Sequence, residues 1–388
     1  MKKIISALLI VIMIFVLASC KRTEKGSFSK EEVDIPDKKV AILVAPEEQN
    51  PEFYCAAKML SAKYPDNIIF REYADSRILV AGNPEIMTLS SEVAAQNDVG
   101  AIIFAGATQF TANAISAAKE QNNNIITVAI EPERNFSSVE EKADLVITAD
   151  WSKYAEEIVS SARKNGAEYF LFFSVEAQIN SNPIYTLLKS ELTKRCEENG
   201  IKFIYDSSYD TNNAGGIETA RFFIREAVSK HCSAELKGEV GNDNVVLFST
   251  DSSVQETLAD IADKNGYIYI SPSFPTAYNG INEIYNVPKP TDIKDTDKFV
   301  ASLKEAINVN ADSRGRFSIY NFPLASTMLE GSLNIVFDML TGKTSDVSFN
   351  ERVPMRLIQS AGGKKFSVEQ YPQKYNVYMC YTDGFEII

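Results

Sequence analysis

The apolar positions of this chain fall into short continuous runs that alternate with longer stretches of helical periodicity. Runs such as 40–45 and 100–105 are almost wholly apolar. This is typical of parallel strands buried on both faces, because a strand with one wet face would alternate apolar and polar residues. Strand and helix patterns follow each other in turn, which predicts an α/β fold with doubly wound parallel sheets.

The predicted elements divide the chain into two similar lobes, at 38–149 and 150–320. In the first lobe, strands are predicted at 40–45, 67–70, 100–105, 125–130 and 145–148, with helices at 52–63, 85–97 and 111–121. The pattern then restarts, with helices at 151–164, 182–198, 216–230 and 252–264 and strands at 169–173, 202–205, 244–248 and 267–270. Glycines just after helices, such as Gly166, Gly200 and Gly266, match left-handed helix caps.

The last part of the chain does not form a third lobe. It offers a strand at 316–320, a helix at 324–340 and a late strand at 375–381. These extra elements predict that the chain crosses back between the lobes. We expect about 321–345 to complete the N-terminal lobe and about 350–388 to complete the C-terminal lobe, with a multi-strand hinge between them.

The first twenty residues have the pattern of a bacterial export signal. Lys2 and Lys3 precede an uncharged apolar run at 4–17, and Leu17-Ala18-Ser19-Cys20 follows. The run is shorter than the roughly 20 residues that a spanning helix needs, which disfavours an uncleaved anchor. Because Leu-Ala-Ser-Cys resembles a lipobox, the resemblance implies cleavage of a 1–19 signal peptide and lipid attachment at Cys20. Residues 20–37 are polar and predict a flexible tether.

The net charge limits which binding partners the chain can have, and the cysteine spacing limits which disulfides it can form. A formal net charge of −13 argues against nucleic acid and against adsorption to anionic lipid. We therefore expect the lipid anchor to be the only contact with the membrane. We also expect a monomer, in an extracytoplasmic location at the cell or outer membrane. Four cysteines besides Cys20 show no CxxC spacing and predict free buried thiols. A bridge between Cys196 and Cys232 is the alternative, since both stand late in successive predicted helices.

Two local motifs resemble those of a known family. Gln49-Asn50-Pro51-Glu52-Phe53, after the first strand, is similar to the Asn-Asn-Pro-Phe-Phe turn of sugar binders. Ser249-Thr250-Asp251-Ser252 looks like their Asn-Asp turn, with Thr250 in place of Asn. From 40 to 388 the chain resembles the type I periplasmic solute-binding proteins of ABC transporters. The likeness is to the ribose-binding and basic-membrane-protein branches and to bacterial lipoproteins without an assigned ligand.

Ligands of open α/β sheets bind beyond the carboxyl ends of the strands, so the loops there supply the candidate site. They mix carboxylates and amides with aromatic rings, which suits a sugar, a nucleoside or a flavin-like heterocycle. Only Arg134 is a nearby base, which disfavours a strongly anionic ligand. The candidate ligand-binding residues are Glu47, Gln49, Phe53, Tyr54, Thr108, Gln109, Glu131, Glu176, Gln178, Asn182, Asp251, Ser273 and Asn321.

The sequence offers little catalytic chemistry. His231 is the single histidine, and its place at a helix end predicts a solvated or dipole-stabilised cap. Gly342-Lys343-Thr344 follows a predicted helix instead of preceding one, so it is not a phosphate loop. Residues 210–221 begin like a calcium loop but end in Arg221 instead of glutamate. We predict no enzyme activity, no metal and no cofactor.

The leading hypothesis is a lipoprotein that captures a small polar solute between its lobes and delivers it to an ABC permease. Closure about the hinge would be favoured by the extra contacts that the solute makes in the closed state. A sensory receptor of the same fold is the second hypothesis. A lipid-anchored hydrolase that uses carboxylates of the cleft is the third.

Overall fold

The computed structural model describes residues 31–47, 49–73, 79–80, 83–132, 135–210, 216–233, 244–272, 280–289, 296–310, 313–320, 322–362 and 366–388. Residues 33–388 form one compact unit. None of the helices in these ranges is both long and apolar enough to cross a membrane. The predicted signal peptide and Cys20 lie outside the described residues.

The end of the predicted tether is held by the folded body. The Asp34 carboxylate accepts from Lys343 Nζ at 2.8 Å. The Pro36 carbonyl accepts from Asn67 Nδ2 at 2.9 Å, and Pro36 is buried. The last residues of the segment predicted as a flexible tether, 20–37, therefore contact the folded body.

The first part of the chain alternates strands and helices as expected. Its elements are β1 (Lys39–Val44), α1 (Pro51–Lys63), β2 (Ile68–Glu72), β3 (Leu79–Val80), β4 (Asn83–Pro84), α2 (Glu85–Ala94), β5 (Val99–Ala105), α3 (Thr111–Gln121), β6 (Ile126–Ile130), α4 (Phe136–Lys142) and β7 (Leu145–Ala149). Every residue of β5 and β7 is buried, as strands covered on both faces require.

The second part repeats this alternation. Its elements are α5 (Trp151–Lys164), β8 (Tyr169–Phe173), α6 (Glu176–Ser181), α7 (Pro183–Glu198), β9 (Lys202–Asp206), α8 (Gly216–Cys232), β10 (Val245–Ser249), α9 (Gln255–Asn265), β11 (Ile268–Ile270), α10 (Ile281–Ile284), α11 (Thr296–Val309) and β12 (Arg316–Tyr320). The chain ends with α12 (Leu324–Leu340), α13 (Phe349–Ser360), β13 (Phe366–Gln370), β14 (Val377–Thr382) and β15 (Phe385–Ile387).

Two large, mostly parallel sheets organise these elements. Among the described strands, one sheet has the order β13-β14-β7-β6-β5-β1-β2 and the other the order β15-β12-β11-β10-β8-β9. Antiparallel pairing is confined in these two sheets to β13 with β14 and β12 with β15, while β3 and β4 form a small separate pair. The predicted α/β fold with two parallel-sheet lobes is confirmed.

Within the described residues, the chain passes between the two sheets three times. It leaves β7 of the first sheet for α5, which packs on α7 and β11 of the second lobe. It returns from β12 to α12, which packs on β5, β6 and β7. It crosses again from β14 to β15, which pairs with β12. The hinge therefore contains several chain segments rather than one linker.

The end of the chain differs from the expectation that 350–388 completes the C-terminal lobe. Helix α13 packs on α12, and β14 extends the first sheet by pairing with β7, where Val377 lies opposite Val146. Only β15 joins the second sheet. The buried Val377, Tyr378 and Cys380 cover the edge of β7, and nothing in their apolar pattern says which lobe they cover.

A buried ion pair joins α12 to α13. The Arg356 guanidinium donates through Nε and one terminal nitrogen to the two carboxylate oxygens of Asp338, each at 2.7 Å. Both side chains are 0% exposed. Helix α12 is buried almost throughout its length, so this charge needs a bidentate partner inside the lobe.

Candidate ligand site

The carboxyl ends of the inner strands lie side by side in both sheets. In the first sheet, Val44 of β1 pairs with Ala105 of β5, and Ala105 pairs with Ile130 of β6. In the second sheet, Ser249 of β10 pairs with Phe173 of β8. The loops that follow these strands therefore meet at one edge of each sheet, where open α/β sheets bind ligands.

These two edges face each other. Asn182, between α6 and α7 of the second lobe, donates its Nδ2 to the carbonyl of Pro132 at 2.6 Å. Pro132 follows β6 of the first lobe. Because Asn182 is only 2% exposed, this contact lies inside the boundary between the lobes. The strand ends thus border an interlobe cleft.

The first lobe presents Asn50 at its edge of the cleft. Asn50 precedes α1, but its side chain makes no capping hydrogen bond to that helix. The residue is 5% exposed, and its Oδ1 has no hydrogen-bond partner among the described residues. Gly106, at the end of β5, has a φ of +77°, and a Cβ there would lie 2.6 Å from Asn50 Nδ2. Glycine is therefore required for the Asn50 amide to occupy this position.

Thr111 adds a second polar group to this edge, at the start of α3. It is fully buried, and its Oγ1 has no hydrogen-bond partner within the described part of the chain. Buried polar groups are nearly always satisfied, and leaving one unpaired costs about 1–3 kcal/mol. The carboxyl edge of the first lobe therefore holds polar groups that the described residues leave unsatisfied.

The second lobe presents a matching polar edge, which we call the cradle and define as Ser174, Thr250 and Asp251. Ser174 follows β8, and Thr250 and Asp251 follow β10 directly, so the pairing of these two strands brings the three residues together. Ser174 Oγ, Thr250 Oγ1 and Asp251 Oδ2 are buried and have no hydrogen-bond partner among the described residues. The cradle thus places two hydroxyl groups and a carboxylate oxygen at the ends of two neighbouring strands.

Asp251 is oriented by its own turn. Its Oδ1 accepts from the Ser253 backbone N–H at 2.9 Å and from the Ser253 hydroxyl at 2.6 Å, which leaves Oδ2 for another donor. Burial raises the pKa of Asp251, and the Asp210 carboxylate adds to this rise, while hydrogen bonding from Ser253 and from the nearby Tyr209 hydroxyl opposes it. A ligand hydroxyl or amine that donates to Oδ2 would stabilise the charged form.

Some predicted site residues are occupied by the protein itself. The Glu131 carboxylate accepts from the Ala149 N–H at 2.5 Å and from Thr148 Oγ1 at 3.2 Å, and Glu131 is 3% exposed. Phe53 is fully buried in the core beneath Gly106. The Asn182 amide is used in the contact with Pro132. In this arrangement these three residues hold the lobes and the core together instead of presenting groups to the cleft.

Other predicted residues lie on the rim. Glu47 is exposed, and Tyr54 packs edge-on against Phe70 with the ring centroids 5.5 Å apart. Glu176 is also exposed and accepts from the Tyr205 hydroxyl at 2.8 Å. This hydrogen bond is the largest cause that holds the pKa of Glu176 below its usual value. These side chains are accessible but less enclosed than the cradle.

The remaining candidate residues are half-buried or lie outside the residues that the structure describes. Gln49, Thr108, Gln109 and Gln178 are half-buried at strand ends on both sides of the cleft. The Thr108 hydroxyl accepts from the Phe110 N–H at 3.3 Å, as a turn former does. Ser273 and Asn321 lie outside the described residues.

Asn50, Thr111 and Ser174 were not among the predicted site residues. An asparagine directly before a helix is most often a cap, and serine and threonine at strand ends are most often turn formers. The sequence carries no signal that separates Asn50 from an ordinary cap, because proline at the first helical position leaves the N–H groups of the second and third helical residues available to a capping side chain.

The histidine and the cysteines make contacts within the protein and do not form a further site among the described residues. His231 lies in the last turn of α8, as predicted, but it is half-buried and not solvated, because its Nε2 lies 2.9 Å from Asp206 Oδ2. Cys55, Cys196, Cys232 and Cys380 are free, so the alternative bridge is not formed, and only Cys196 and Cys380 are fully buried. In the described ranges, no three His, Cys, Asp or Glu side chains are grouped so as to hold a metal ion.

A family model described as "Protein of unknown function (DUF3798)" matches residues 38–318. The chain belongs to the DUF3798 family. The match spans both lobes from just before β1 into β12, so it includes Asn50 and the cradle. No curated protein is similar to the chain in sequence.

Solved structures resemble this DUF3798 chain in fold. A protein from Clostridium difficile 630 described as a transcriptional regulator has a TM-score of 0.66 at 14% identity, covering 92% of this chain and 99% of its own. A substrate-binding protein of a sugar ABC transport system from Bordetella parapertussis 12822 has a TM-score of 0.53 at 6% identity, covering 92% and 91%. At such identities the likeness is one of fold, and the type I periplasmic binding protein fold implied by the sequence is confirmed.

Proposed function

We propose that this protein is an extracytoplasmic, lipid-anchored substrate-binding protein that captures a small polar solute between its lobes and passes it to an ABC importer. The observation that carries the proposal is the set of buried, unpartnered polar atoms at the two facing sheet edges. Asn50 Oδ1 and Thr111 Oγ1 stand on one side, and the cradle of Ser174, Thr250 and Asp251 stands on the other.

The chemistry of these atoms favours a ligand rich in hydrogen-bond donors. Asn50 Oδ1 and Asp251 Oδ2 can only accept, whereas the hydroxyl groups can both donate and accept. Each would lose about 1–3 kcal/mol if buried unsatisfied, so a solute that reaches several of them recovers a large part of its binding free energy there. Hydroxyl and amine groups of a sugar or nucleoside meet this requirement, and the similarity to a sugar-transport binding protein supports the same class.

Delivery to an importer requires the protein to stay near its permease. Lipid attachment at Cys20 would provide this, because a tethered module meets its membrane partner at high effective concentration. Mass spectrometry of the N-terminal peptide from membranes tests the anchor. We expect a diacylglyceryl group on Cys20, and Cys20→Ala should release the protein from the membrane. An unmodified Cys20 in membrane-extracted protein would contradict the anchor while leaving solute binding untouched.

Solute capture is tested by thermal shift of ligand-free protein against sugars, nucleosides, flavins and amino acids. Native mass spectrometry first establishes that the preparation carries no small molecule. A solute at a hundred times its dissociation constant should add about 2.7 kcal/mol of stability. Stabilisation that Asp251→Asn and Asn50→Ala clearly reduce, and that Asn265→Ala keeps, would support the proposal. Asn265 is exposed at the end of α9, so its variant serves as the control. Failure of the whole panel to stabilise the protein would contradict the proposal.

A further inference from the structure

We propose that Glu131, Pro132 and Asn182 form an interlobe clasp, in which Glu131 and Asn182 are positioning residues that hold the closed arrangement and do not contact the solute. The clasp goes beyond solute capture, because it concerns the equilibrium between the lobes whatever the cleft binds.

The contact itself is a buried hydrogen bond between the lobes. Asn182 Nδ2 donates to the Pro132 carbonyl at 2.6 Å. The backbone of Asn182 is fixed at the same time, since its N–H donates to Gln178 in α6 and its carbonyl accepts from Thr186 in α7. The amide is therefore presented to the first lobe by two short-range backbone contacts. Opening the cleft at this point must break the bond.

The acceptor is fixed equally firmly by Glu131. This residue has a φ of +49°, a left-handed conformation that residues other than glycine rarely adopt and that stores backbone strain. The strain is held in place by three contacts with β7, in which the N–H donates to Ile147 at 2.8 Å and the carboxylate accepts from Thr148 and Ala149. The contacts of Glu131 therefore fix the orientation of the neighbouring Pro132 carbonyl, which accepts from Asn182.

The position of the clasp links the cleft to the hinge. Ala149 is the last residue of β7, directly before the first crossing between the lobes. Asp150, at the crossing, donates its N–H to Cys380 of β14 at 2.8 Å, and β14 leads into the third crossing. A rotation of the lobes about these segments must change the distance between Asn182 and the Pro132 carbonyl, so the clasp depends on the hinge angle.

An isosteric substitution separates this role from ordinary packing. Asn182→Asp keeps the shape of the side chain but replaces the Nδ2 donor by an oxygen that the Pro132 carbonyl repels. Asn199→Asp is the matched control, because Asn199 Nδ2 also donates to a backbone carbonyl, that of Arg195, but within one lobe.

The readout is the distance between the lobes in the full-length protein in detergent, with no solute added. Dyes on azide side chains introduced at Glu120 of α3 and Lys194 of α7, both exposed, report single-molecule energy transfer. We expect Asn182→Asp to raise the ratio of open to closed molecules about five-fold, the effect of losing one ordinary hydrogen bond. Asn199→Asp should leave the ratio unchanged.

Glu131→Gly provides a second variant, since glycine accepts the left-handed conformation but lacks the carboxylate that binds β7. It should shift the ratio in the same direction as Asn182→Asp. Unchanged distance distributions in both folded variants, or an equal shift in Asn199→Asp, would overturn the clasp. Because no solute enters the measurement, failure to find a solute leaves its result standing.

Discussion

Tyr154 and Tyr320 share a hydrogen bond at the centre of the hinge, with their hydroxyl oxygens 2.7 Å apart. Tyr154 follows the first crossing between the lobes and Tyr320 precedes the second. The Tyr320 hydroxyl also donates to the carbonyl of Thr382 at 2.6 Å, and Thr382 precedes the third crossing. The Thr382 N–H donates back to the Tyr154 hydroxyl at 3.4 Å. One closed network therefore joins all three crossings in the described part of the chain.

Removing either hydroxyl of this network should destabilise the hinge. Both phenols are fully buried, and burial raises the pKa of each well above its usual value, so both keep their protons. We expect Tyr154→Phe and Tyr320→Phe each to cost about 1–2 kcal/mol in the free energy of unfolding by urea. The double variant should cost less than the sum, because both remove the same network. Tyr375→Phe, at a residue 75% exposed, is the control.

The buried pair of Asp338 and Arg356 should be the most sensitive charged contact of the first lobe. Arg356→Ala would leave the buried Asp338 carboxylate with only the weaker contact to Arg352, 3.5 Å away, so we expect a cost at the lower end of about 3–5 kcal/mol. The exposed pair of Lys264 and Asp260 gives the comparison, and Lys264→Ala should cost about 1 kcal/mol or less. Urea denaturation of both variants measures the difference. Similar losses in the free energy of unfolding would show that the buried pair contributes no more to stability than the exposed one.

Gly106 should matter for solute binding beyond its backbone conformation. Gly106 and Gly200 have similar left-handed φ values of +77° and +70°, so alanine adds about 1–2 kcal/mol of strain at either position. At Gly106 the new Cβ would also displace the Asn50 amide, whereas at Gly200 it meets no atom within 4 Å. We expect Gly106→Ala to weaken solute affinity about ten-fold or more, or about 1.4 kcal/mol, and Gly200→Ala to leave affinity unchanged. Calorimetric titration of the solute into each variant measures the two affinities. Equal affinities in the two variants would contradict the role of Asn50.

The cysteine thiols should react slowly in the folded protein. Burial raises the pKa of Cys196 to about 12 and that of Cys232 to about 11. At about pH 8 their alkylation should be at least about 100-fold slower than in guanidinium chloride, because the thiolate is the reactive form. Since the folded pKa values lie above the unfolded value of about 8.5, the stability they contribute is full below that pH and is lost as pH rises toward 11. Rapid alkylation of Cys196 in native protein would contradict its burial.

The sequence predicts the lobes well because burial on both faces forces continuous apolar strands, and strand ends then locate the cleft. It does not predict which lobe receives β14, since Val377 and Cys380 would be equally apolar against either sheet. Nor does it separate Glu131 from Asp251. Both are carboxylates after parallel strands, but Glu131 accepts from Ala149 of its own sheet, whereas Asp251 Oδ2 has no hydrogen-bond partner among the described residues. This difference depends on contacts distant in sequence.

Solute binding at Asp251 is the central claim, and calorimetric titration tests it most directly. The best stabilising solute is titrated into ligand-free protein, into Asp251→Asn and into Asp260→Asn, where Asp260 pairs with Lys264 on the surface. We expect Asp251→Asn to lose at least about ten-fold in affinity, equivalent to about 1.4 kcal/mol, because the amide replaces a charged acceptor. Asp260→Asn should bind as the unmodified protein does. Equal affinity in all three proteins would contradict the account.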